Sequence, residues 1–594
     1  MAPCMSLAAP FVLLDDARPG GAPARLYRDP VAIIEAHSVD QLAPALTSVR
    51  EGIAAGHHAA GFIAYEGGAA LEPHVGTLPA PATPLLWFGL FAAVEELCAP
   101  HTILPAPDGA WIGALEPAIS RDEYDAALRQ VLDLITAGDI YQANLTFRAR
   151  VPFAGDPLAL YAAVRTRAAA GWGAIVATGD HLLLSFSPEL FFRLEGDTLT
   201  CRPMKGTARR DPDPSRDDDI ADALASDEKQ RAENLMIVDL MRNDLSRVAA
   251  AGSVKVPALF AVERYPTVHQ MTSTVTARLA PGRDAIDVLS ALFPCGSITG
   301  APKVRAMQVL REIEHAPRGI YTGSIGAIDS GGDAQFNVAI RTLEIAAGAD
   351  HATLGLGGGI VADSRADSEW DEALAKGAFL THGQRTPDLI ETMRFDPDAG
   401  ILLVERHLAR MKASAARLGF VFDRHDARNE LQAATFRLRA PARIRLLLSH
   451  SGRITIEVAP APPPIPRTLR VALAPLPVVP FDYRLRHKTS SRRFYDEARR
   501  RAGADEVVFV DPDGFLTEGS FTSVFVERDG LLLTPPLTRG LLPGVLRAEL
   551  IETGRAVEHE LTADDLAAGF HVGNALRGLM SAFVTVAEPG DASL

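Results

Sequence analysis

Lysine is scarce in this chain: among 59 Lys and Arg residues in 594, only Lys205, Lys229, Lys255, Lys303, Lys376, Lys412 and Lys488 are lysines. Arginine serves equally well as a solvated charge, but it stays protonated and cannot act as an amine nucleophile or Schiff-base partner. Each lysine is therefore a candidate for chemistry, although a surface lysine needs none. The four cysteines, Cys4, Cys98, Cys201 and Cys295, lie far apart with no CxxC spacing. That suits a reducing compartment and suggests neither a disulfide framework nor a zinc site. The 47% hydrophobic content is dispersed, and no apolar run approaches the roughly 20 residues of a membrane span. The first residues lack a basic n-region, and Asp15 and Asp16 interrupt their apolar stretch, unlike a signal peptide. A cytoplasmic protein with no membrane partner is expected. Basic patches are missing too: the formal net charge is -15 and no Lys/Arg run alternates with aromatics, so nucleic acid is not an expected partner.

At 594 residues the chain exceeds what one core organises, which predicts two or more domains. Strand patterns at 174–177, 181–186 and 324–328 alternate with helical patterns at 121–137 and 303–313, a mixed α/β (α+β) reading. The polar stretch 382–388 breaks this pattern, and a fresh strand-helix unit follows at 389–395 and 405–418. Domains are predicted at 1–385 and 388–594. The run APAPPPIP (459–466) is too proline-rich for a helix or inner strand. It is expected to run extended between two lobes of the second domain, about 388–458 and 467–594.

Four runs in the first domain stand out: GDIYQANLT (138–146), PMKGT (203–207), GSITGAPK (296–303) and GGGIVADSRADSEWDEALAKG (357–377). The third is a Gly/Ser/Thr loop entering a helix whose first turn is expected to carry Pro302, so free N–H groups around Ser297, Thr299 and Gly300 can cradle a carboxylate or phosphate. It lacks the GKS or GKT ending of a nucleotide P-loop. In the fourth, Glu369 and Glu372 are three apart on a predicted helix, which stacks both carboxylates on one face and suits a hard cation. Glu233, expected to open the helical segment ENLMIVDLMRNDL, could complete a magnesium shell that leaves positions for substrate and water. Taken singly, a helical glutamate is usually a surface charge, and Glu233 equally favours a helix N-terminus.

Together these runs resemble the chorismate-utilising enzymes, the family of anthranilate synthase large subunits, isochorismate synthases and aminodeoxychorismate synthase component I, over about residues 10–385. The resemblance implies an anthranilate-synthase-like fold of two large facing sheets flanked by helices, Mg2+ held by glutamates, and chorismate as a substrate with two carboxylates. It implies Glu233 and Glu372 as magnesium ligands supported by Glu369, and His269 of VHQMTS near the departing C4 hydroxyl. Tyr321 and Arg341 would hold the enolpyruvyl carboxylate, the amides of Gly357 and Gly358 the ring carboxylate, and Lys376 would join the substrate contacts. Lys205 chooses within the family. Anthranilate-forming members typically have alanine there, whereas aminodeoxychorismate synthases carry a lysine nucleophile. This implies amination at C4: Lys205 adds at C2 as the C4 hydroxyl leaves, and ammonia then adds at C4 and expels the lysine. Leu13-Leu14-Asp15-Asp16 departs from the Leu-Leu-Glu-Ser type run of tryptophan-binding relatives. No cysteine sits in the glycine-flanked elbow of a glutamine amidotransferase, so ammonia is expected from solution or from a separate glutamine amidotransferase subunit.

In the second domain Lys488, in RLRHKTSSRRFYDEARR, precedes Glu518, in FLTEGSFTSVF, by 30 residues. A pyridoxal cofactor needs a lysine with an accessible neutral form and a charged partner at its pyridine nitrogen, but such a pair alone is weak support. The surrounding runs ERHLARMKASAARLGF (405–420), LTEGSFTSVF (516–525) and GLLPGVLR (540–547) resemble the class IV pyridoxal-phosphate enzymes, which include branched-chain and D-amino-acid aminotransferases and aminodeoxychorismate lyase, over about 388–588. The resemblance implies a two-lobed class IV aminotransferase-like fold and pyridoxal 5'-phosphate carried on Lys488. Glu518 would face the pyridine nitrogen, and Arg410 would bind the phosphate with backbone amides near Gly544 and Val545. Asn574 and Arg577 would line the substrate side, and a homodimer would form through this domain. Ser523 stands where many relatives have asparagine, and Leu546 where threonine often precedes the arginine.

Class membership leaves transamination and elimination open, and the neighbouring domain decides between them. Its expected product, 4-amino-4-deoxychorismate, carries the amine that pyridoxal phosphate requires. The two halves then act in series toward folate, with Lys488 as base at C4 and elimination of pyruvate giving 4-aminobenzoate. The alternatives are an anthranilate- or isochorismate-type half fused to a true amino-acid aminotransferase, or one half kept as a non-catalytic scaffold.

Overall fold

The protein is described here by a computed structural model covering residues 7–265 and 268–585. Cys4 lies outside these residues, while Cys98, Cys201 and Cys295 are free thiols. Among the described residues no helix is long and apolar enough to cross a membrane. The chain divides into two compact units. The first comprises the described residues up to Leu104 together with Ala114–Pro152 and Tyr161–His382. The second takes Pro105–Gly113, Phe153–Leu160 and the described residues from Gly383 onward.

The first unit is built on two large, mostly antiparallel sheets. One runs from Gly300–Ala301 through Gln142–Gly155, His351–Ile360, Thr342–Ala346, His181–Ser187, Trp172–Ala177 and Phe11–Asp15 to Ala24–Arg28 and Glu95–Leu97. The other runs from Met204–Arg209 through Val268–Arg278, Thr198–Cys201, Leu190–Glu195, Ala334–Asn337, Ser324–Ile328 and His58–Ile63 to Leu86–Phe91 and Ala32–Ala36. Val12, Leu14, Ala174 and Val176 of the first sheet share one core cluster with Ala60, Phe62, Trp87 and Phe91 of the second, so the sheets face each other. The other face of the second sheet buries Phe192, Leu194 and Val275 against the helices Val39–Ala54, Glu228–Ser246 and Ala285–Leu292. Cover on both faces explains why strands such as Leu86–Phe91 are buried at every residue rather than alternating.

Helix starts follow local chemistry. Arg121–Thr136 begins at a capping box in which Ser120 and Glu123 satisfy each other's backbone N–H. Asp227 caps Glu228–Ser246, so Glu233 lies in the second turn of that helix instead of opening it. Pro302 likewise stands one place before Lys303–Ile313 rather than inside its first turn. The loop ahead of it is less open than its composition suggests. Gly300–Ala301 pairs with Gln142 and Ala143, and the amides of Ile298 and Thr299 bond back to Cys295 and Gly296.

The second unit has two sheets. A small antiparallel one is ordered Gly400–Ile401, Leu389–Asp396, Ala442–Leu448, Ile454–Pro460. It is packed by the helix Val404–Leu418, whose Leu408, Met411, Ala415 and Leu418 fill the core. The larger mixed sheet is ordered Leu516–Gly519, Glu506–Val510, Leu469–Pro475, Gly578–Val584, Phe570–Asn574, Ser523–Arg528, Leu531–Thr534, Ala556–Glu558. The strand Ile454–Pro460 extends two residues into the proline-rich run. This is tolerated because the strand is at a sheet edge, where the missing N–H of Pro460 breaks no ladder.

Candidate active sites

In the first unit, Lys205 projects from a β-bulge. The register of Met204–Arg209 against Val268–Arg278 slips between Met204↔Thr272 and Thr207↔Gln270, and Gly206 takes φ +89°. One extra residue at this point re-aims the lysine side chain. Its Nζ comes to the glycine strand, 3.1 Å from where a Cβ on Gly359 would lie. The same hypothetical Cβ would be 2.6 Å from Gln142 Nε2, and both amide atoms of Gln142 are buried without a hydrogen-bond partner.

Burial pushes the Lys205 ammonium below the ordinary lysine value, aided by Lys376 and opposed by Glu233, Glu189 and Glu372. Glu189 is buried and pushed up to about 7 by desolvation, although Ser297 Oγ donates to its Oε1 at 2.8 Å. Thr299 Oγ1 is committed to the Cys295 carbonyl at 2.8 Å.

The rest of the glycine strand gathers the other charged groups. Lys376 Nζ donates to Gly357 O at 2.9 Å and pairs with Glu372 at 2.9 Å. A Cβ on Gly358 would lie 3.3 Å from Glu369 Oε2 and 3.4 Å from Lys376 Nζ, so the bare backbone there faces both. Glu369 Oε1 accepts from Ser364 Oγ at 2.7 Å. Burial raises the Glu233 carboxyl, with repulsion from Asp363 and Glu372 in addition. Among the described residues no three His, Cys, Asp or Glu side chains are placed to enclose a metal. Magnesium, however, commonly takes only one or two carboxylates and completes its shell with substrate and water. Burial raises Glu233 and Glu369, while the neighbouring Lys376 keeps Glu372 below the ordinary glutamate value, so an anionic carboxylate stands beside two acids that a cation would help ionise.

His269 lies on the strand beside Lys205's, opposite Ala208. Its Nε2 meets Asp217 Oδ1 at 2.7 Å, and its Nδ1 is buried without a partner. Arg210 holds the Asp217 carboxyl well below the usual range. The Tyr321 ring packs on Gly355, where a Cβ would stand 2.0 Å from Cγ. Arg341 adopts φ +52° and lies over the Phe379 ring at 5.9 Å. Tyr321 therefore approaches the glycine strand two residues ahead of Gly357, and Arg341 is set beside Phe379.

The second unit carries its own constellation. The Lys488 carbonyl accepts from Ile390 N at 2.8 Å. Burial pushes the Lys488 ammonium down to about 7 against the pull of nearby Glu391, with Arg410, Arg492 and Arg445 adding to the depression. Arg410 chelates Glu391 at 2.8 and 2.6 Å and reaches the Pro543 carbonyl at 3.0 Å. It thus stands at the turn where Gly544 caps the helix Val545–Glu552. That helix start leaves N–H groups free, and a Cβ on Gly544 would lie 2.5 Å from Ser523 Oγ. A guanidinium, open amides and a hydroxyl converging there fit a phosphate. Desolvation pushes Glu518 up to about 7, while Leu542 N at 3.2 Å and the Tyr495 hydroxyl donate to its carboxylate. Asn574 Nδ2 donates to Phe521 O, and Asn574 Oδ1 accepts from Arg577 N.

Several residues of these sites have no local sequence signal. Glu189, Asp217, Glu391 and Tyr495 reach their partners from 16 to 108 positions away. Gln142 is different, since it lies within the GDIYQANLT run and a buried amide at a glycine strand is recognisable once the strand is placed.

Comparison with known proteins places these geometries in context. The family model for class IV amino-transferases matches residues 388–582, and that family implies pyridoxal phosphate. Aminodeoxychorismate synthase component 1 of Escherichia coli is 44% identical over 258 residues, 43% of this chain and 56% of that protein. The Salmonella typhimurium protein of the same name is 44% identical over 269 residues, 45% of this chain and 59% of that protein. The matches thus span little more than half the length of these relatives. The crystal structure of anthranilate synthase component I from Streptococcus pneumoniae superposes with a TM-score of 0.53 at 26% identity, covering 63% of this chain and 93% of that one. The family model described as chorismate binding enzyme matches residues 9–382, well over half of the sequence, and the chain belongs to that family.

Proposed function

We propose that the chain makes 4-aminobenzoate in two steps: amination of chorismate at C4, then elimination of pyruvate. The observation that carries the reading is the pair of lysines, Lys205 on its bulge and Lys488 beside Arg410, each held below the ordinary lysine value by burial. A buried lysine that gives up its proton more readily than usual can serve as a nucleophile or base. The aminodeoxychorismate synthases named above support C4 over C2 as the site of amination.

In the first step the neutral Lys205 Nζ bonds to C2 of chorismate, the ring double bonds shift, and the C4–O bond breaks. His269, oriented by Asp217, supplies the proton with which the hydroxyl leaves as water. Ammonia then bonds to C4, the double bonds shift back, and Lys205 departs. One difficult substitution becomes two easier ones. Glu233 and Glu372, with Glu369 behind them, would hold Mg2+ and so neutralise a substrate carboxylate. The amides of Gly357 and Gly358 would orient the substrate with Tyr321, Arg341 and Lys376, while the loop of Ser297, Thr299 and Gly300, its polar groups largely bonded within the protein, would act on the site by fixing Glu189 through Ser297. Ammonia would reach the site from solution or from a separate glutamine amidotransferase.

In the second step Arg410 and the amides at Gly544 and Val545 would hold the cofactor phosphate, and Glu518 would pair with its pyridine nitrogen. Pyridoxal phosphate, when bound, supplies an electron sink at the substrate amine. Lys488 takes the proton from C4, the C3–O bond breaks, and the enolpyruvyl group leaves as pyruvate while the ring becomes aromatic.

The test is to incubate the purified chain with chorismate, magnesium, ammonium and pyridoxal phosphate and to identify products. Equal amounts of 4-aminobenzoate and pyruvate are expected. Anthranilate as the product would overturn C4 amination, and accumulation of 4-amino-4-deoxychorismate would overturn the second step.

A further inference from the structure

The second unit is not made only of the sequence that follows residue 382: it includes Pro105–Gly113 and Phe153–Leu160. These segments pair as a short antiparallel ladder, Ala110↔Gly155, Trp111↔Ala154 and Ile112↔Phe153. Gly155, at φ +100°, allows a close approach that any side chain would block, since its Cβ would stand 2.1 Å from Gly109 O. The ladder is anchored by Gln384, which donates to Ile112 O at 2.9 Å and accepts from Ile112 N at 3.3 Å.

The ladder bears on the segment that carries Lys488. Trp111 is 3% exposed and its ring lies 6.1 Å from Phe420, 6.0 Å from His450 and 6.4 Å from Tyr483. Tyr483 opens the short helix Tyr483–Arg486, which Asp482 caps by accepting from Arg484 N at 2.9 Å. Asp482 is buried against Gly109, whose Cβ would lie 3.2 Å from its Oδ2. Arg484 chelates Asp482 and extends toward Asp108 at 3.9 Å. On the other side, Arg417 donates to Phe153 O at 2.6 Å, and three residues earlier on the same helix Ser414 meets His487 Nδ1 at 3.0 Å. Lys488 follows directly. The ladder therefore touches the lysine segment at Tyr483 and Asp482 before the lysine, and reaches the His487 side through one helix.

Resting on the reading of Lys488 as the cofactor lysine, we infer that Trp111 is a positioning residue for the pyridoxal-phosphate reaction: it sets the helix Tyr483–Arg486 and so aims Lys488, although it lies within the sequence matched as a chorismate binding enzyme. A buried indole packed on three rings fixes the place of each, and a shift of about 1 Å at a reacting group can lower a rate by roughly 10²-fold.

The test compares wild type, Trp111→Ala, Trp111→Phe and Gln384→Ala in the full chain loaded with pyridoxal phosphate. Three quantities are read: chorismate consumption with ammonium, 4-aminobenzoate release from 4-amino-4-deoxychorismate, and the fraction of cofactor that borohydride fixes to Lys488. Trp111→Ala is expected to keep chorismate consumption, to cut 4-aminobenzoate turnover by roughly 10²-fold and to lower fixation, with Trp111→Phe restoring most of both. Unchanged turnover and fixation in Trp111→Ala overturn the inference. If that variant fails to fold, Gln384→Ala decides: lower fixation at unchanged chorismate consumption supports the inference, and wild-type fixation overturns it. Absence of any Lys488-dependent fixation in wild type would instead remove the cofactor reading itself, and the inference with it.

Discussion

Lys205 Nζ lies 3.1 Å from the point where Gly359 would carry a Cβ, so the lysine and the glycine strand are fitted to each other. Adding a methyl at Gly359 would push on both Lys205 and Gln142 Nε2, 2.6 Å away. Gly359→Ala is therefore expected to lower C4 amination by about tenfold to 10²-fold through misplacement of the amine, with little change in thermal stability. Steady-state amination and a melting curve check this. Full activity would mean the contact does not constrain Lys205.

Glu189 gives a pH dependence of stability. Its carboxyl is raised from 4.5 to about 7, so the folded state binds this proton more tightly than the unfolded state. The stability it contributes is fully present below about pH 4.5 and is lost as pH rises through about 7. Relative to Glu189→Gln, wild type should lose melting temperature between those values. Parallel curves for the two proteins would sink the assignment.

The same substitution acts on Lys205. Its amine is already below the ordinary 10.5 because burial lowers it, and Glu189 is one of the charges that oppose the shift. Glu189→Gln is expected to move the rising limb of the amination pH profile further toward acid. A limb that stays in place, or moves toward alkali, counts against Lys205 as the titrating group.

His269 and Asp217 should behave as a unit. His269→Ala is expected to cost roughly 10² to 10⁴-fold in amination, the usual worth of a positioned acid-base group. Asp217→Asn should give a smaller loss, because the imidazole remains while its 2.7 Å partner is changed. Single-turnover rates for both variants measure this. Asp217→Asn at wild-type rate would show that the pair is structural.

In the second unit Lys488→Ala should abolish cofactor absorbance at about 400–430 nm and stop the chain at the aminated intermediate. Tyr495→Phe removes a hydroxyl that stabilises the Glu518 anion, whose carboxyl burial has already raised to about 7. It should therefore shift the acid limb of 4-aminobenzoate formation to higher pH. An unmoved limb would separate Glu518 from that titration.

What the sequence makes legible is local. Lysine scarcity and the PMKGT run mark Lys205, though not the bulge that aims it, and the Glu369/Glu372 spacing reads directly as one face of the helix Ala366–Ala375. The two-sheet architecture and the match to the class IV amino-transferase model follow from runs that are each contiguous. Non-local partners are not legible in the same way. Glu189 meets Ser297 across 108 residues, and no pattern near either announces the other. The start of the helix bearing Glu233 is misread because Asp227, a better cap, stands ahead of it. Pro302 reads as a first-turn proline but serves as the cap. The ladder at Trp111 is hidden most completely, since its ring neighbours stand at 420, 450 and 483.

The path of the chain between its two units has a thermodynamic consequence. The backbone crosses from one to the other after Leu104, Gly113, Pro152, Leu160 and His382, and one of those crossings falls inside the continuous strand Gln142–Gly155. Melting the second unit must release residues 153–155 and so fray the end of a strand that the first unit needs, while melting the first frees both arms that fill the Trp111 core. Heat capacity should therefore rise in one shared transition, and a protease that cuts only at 383–388 should leave two fragments that remain folded together.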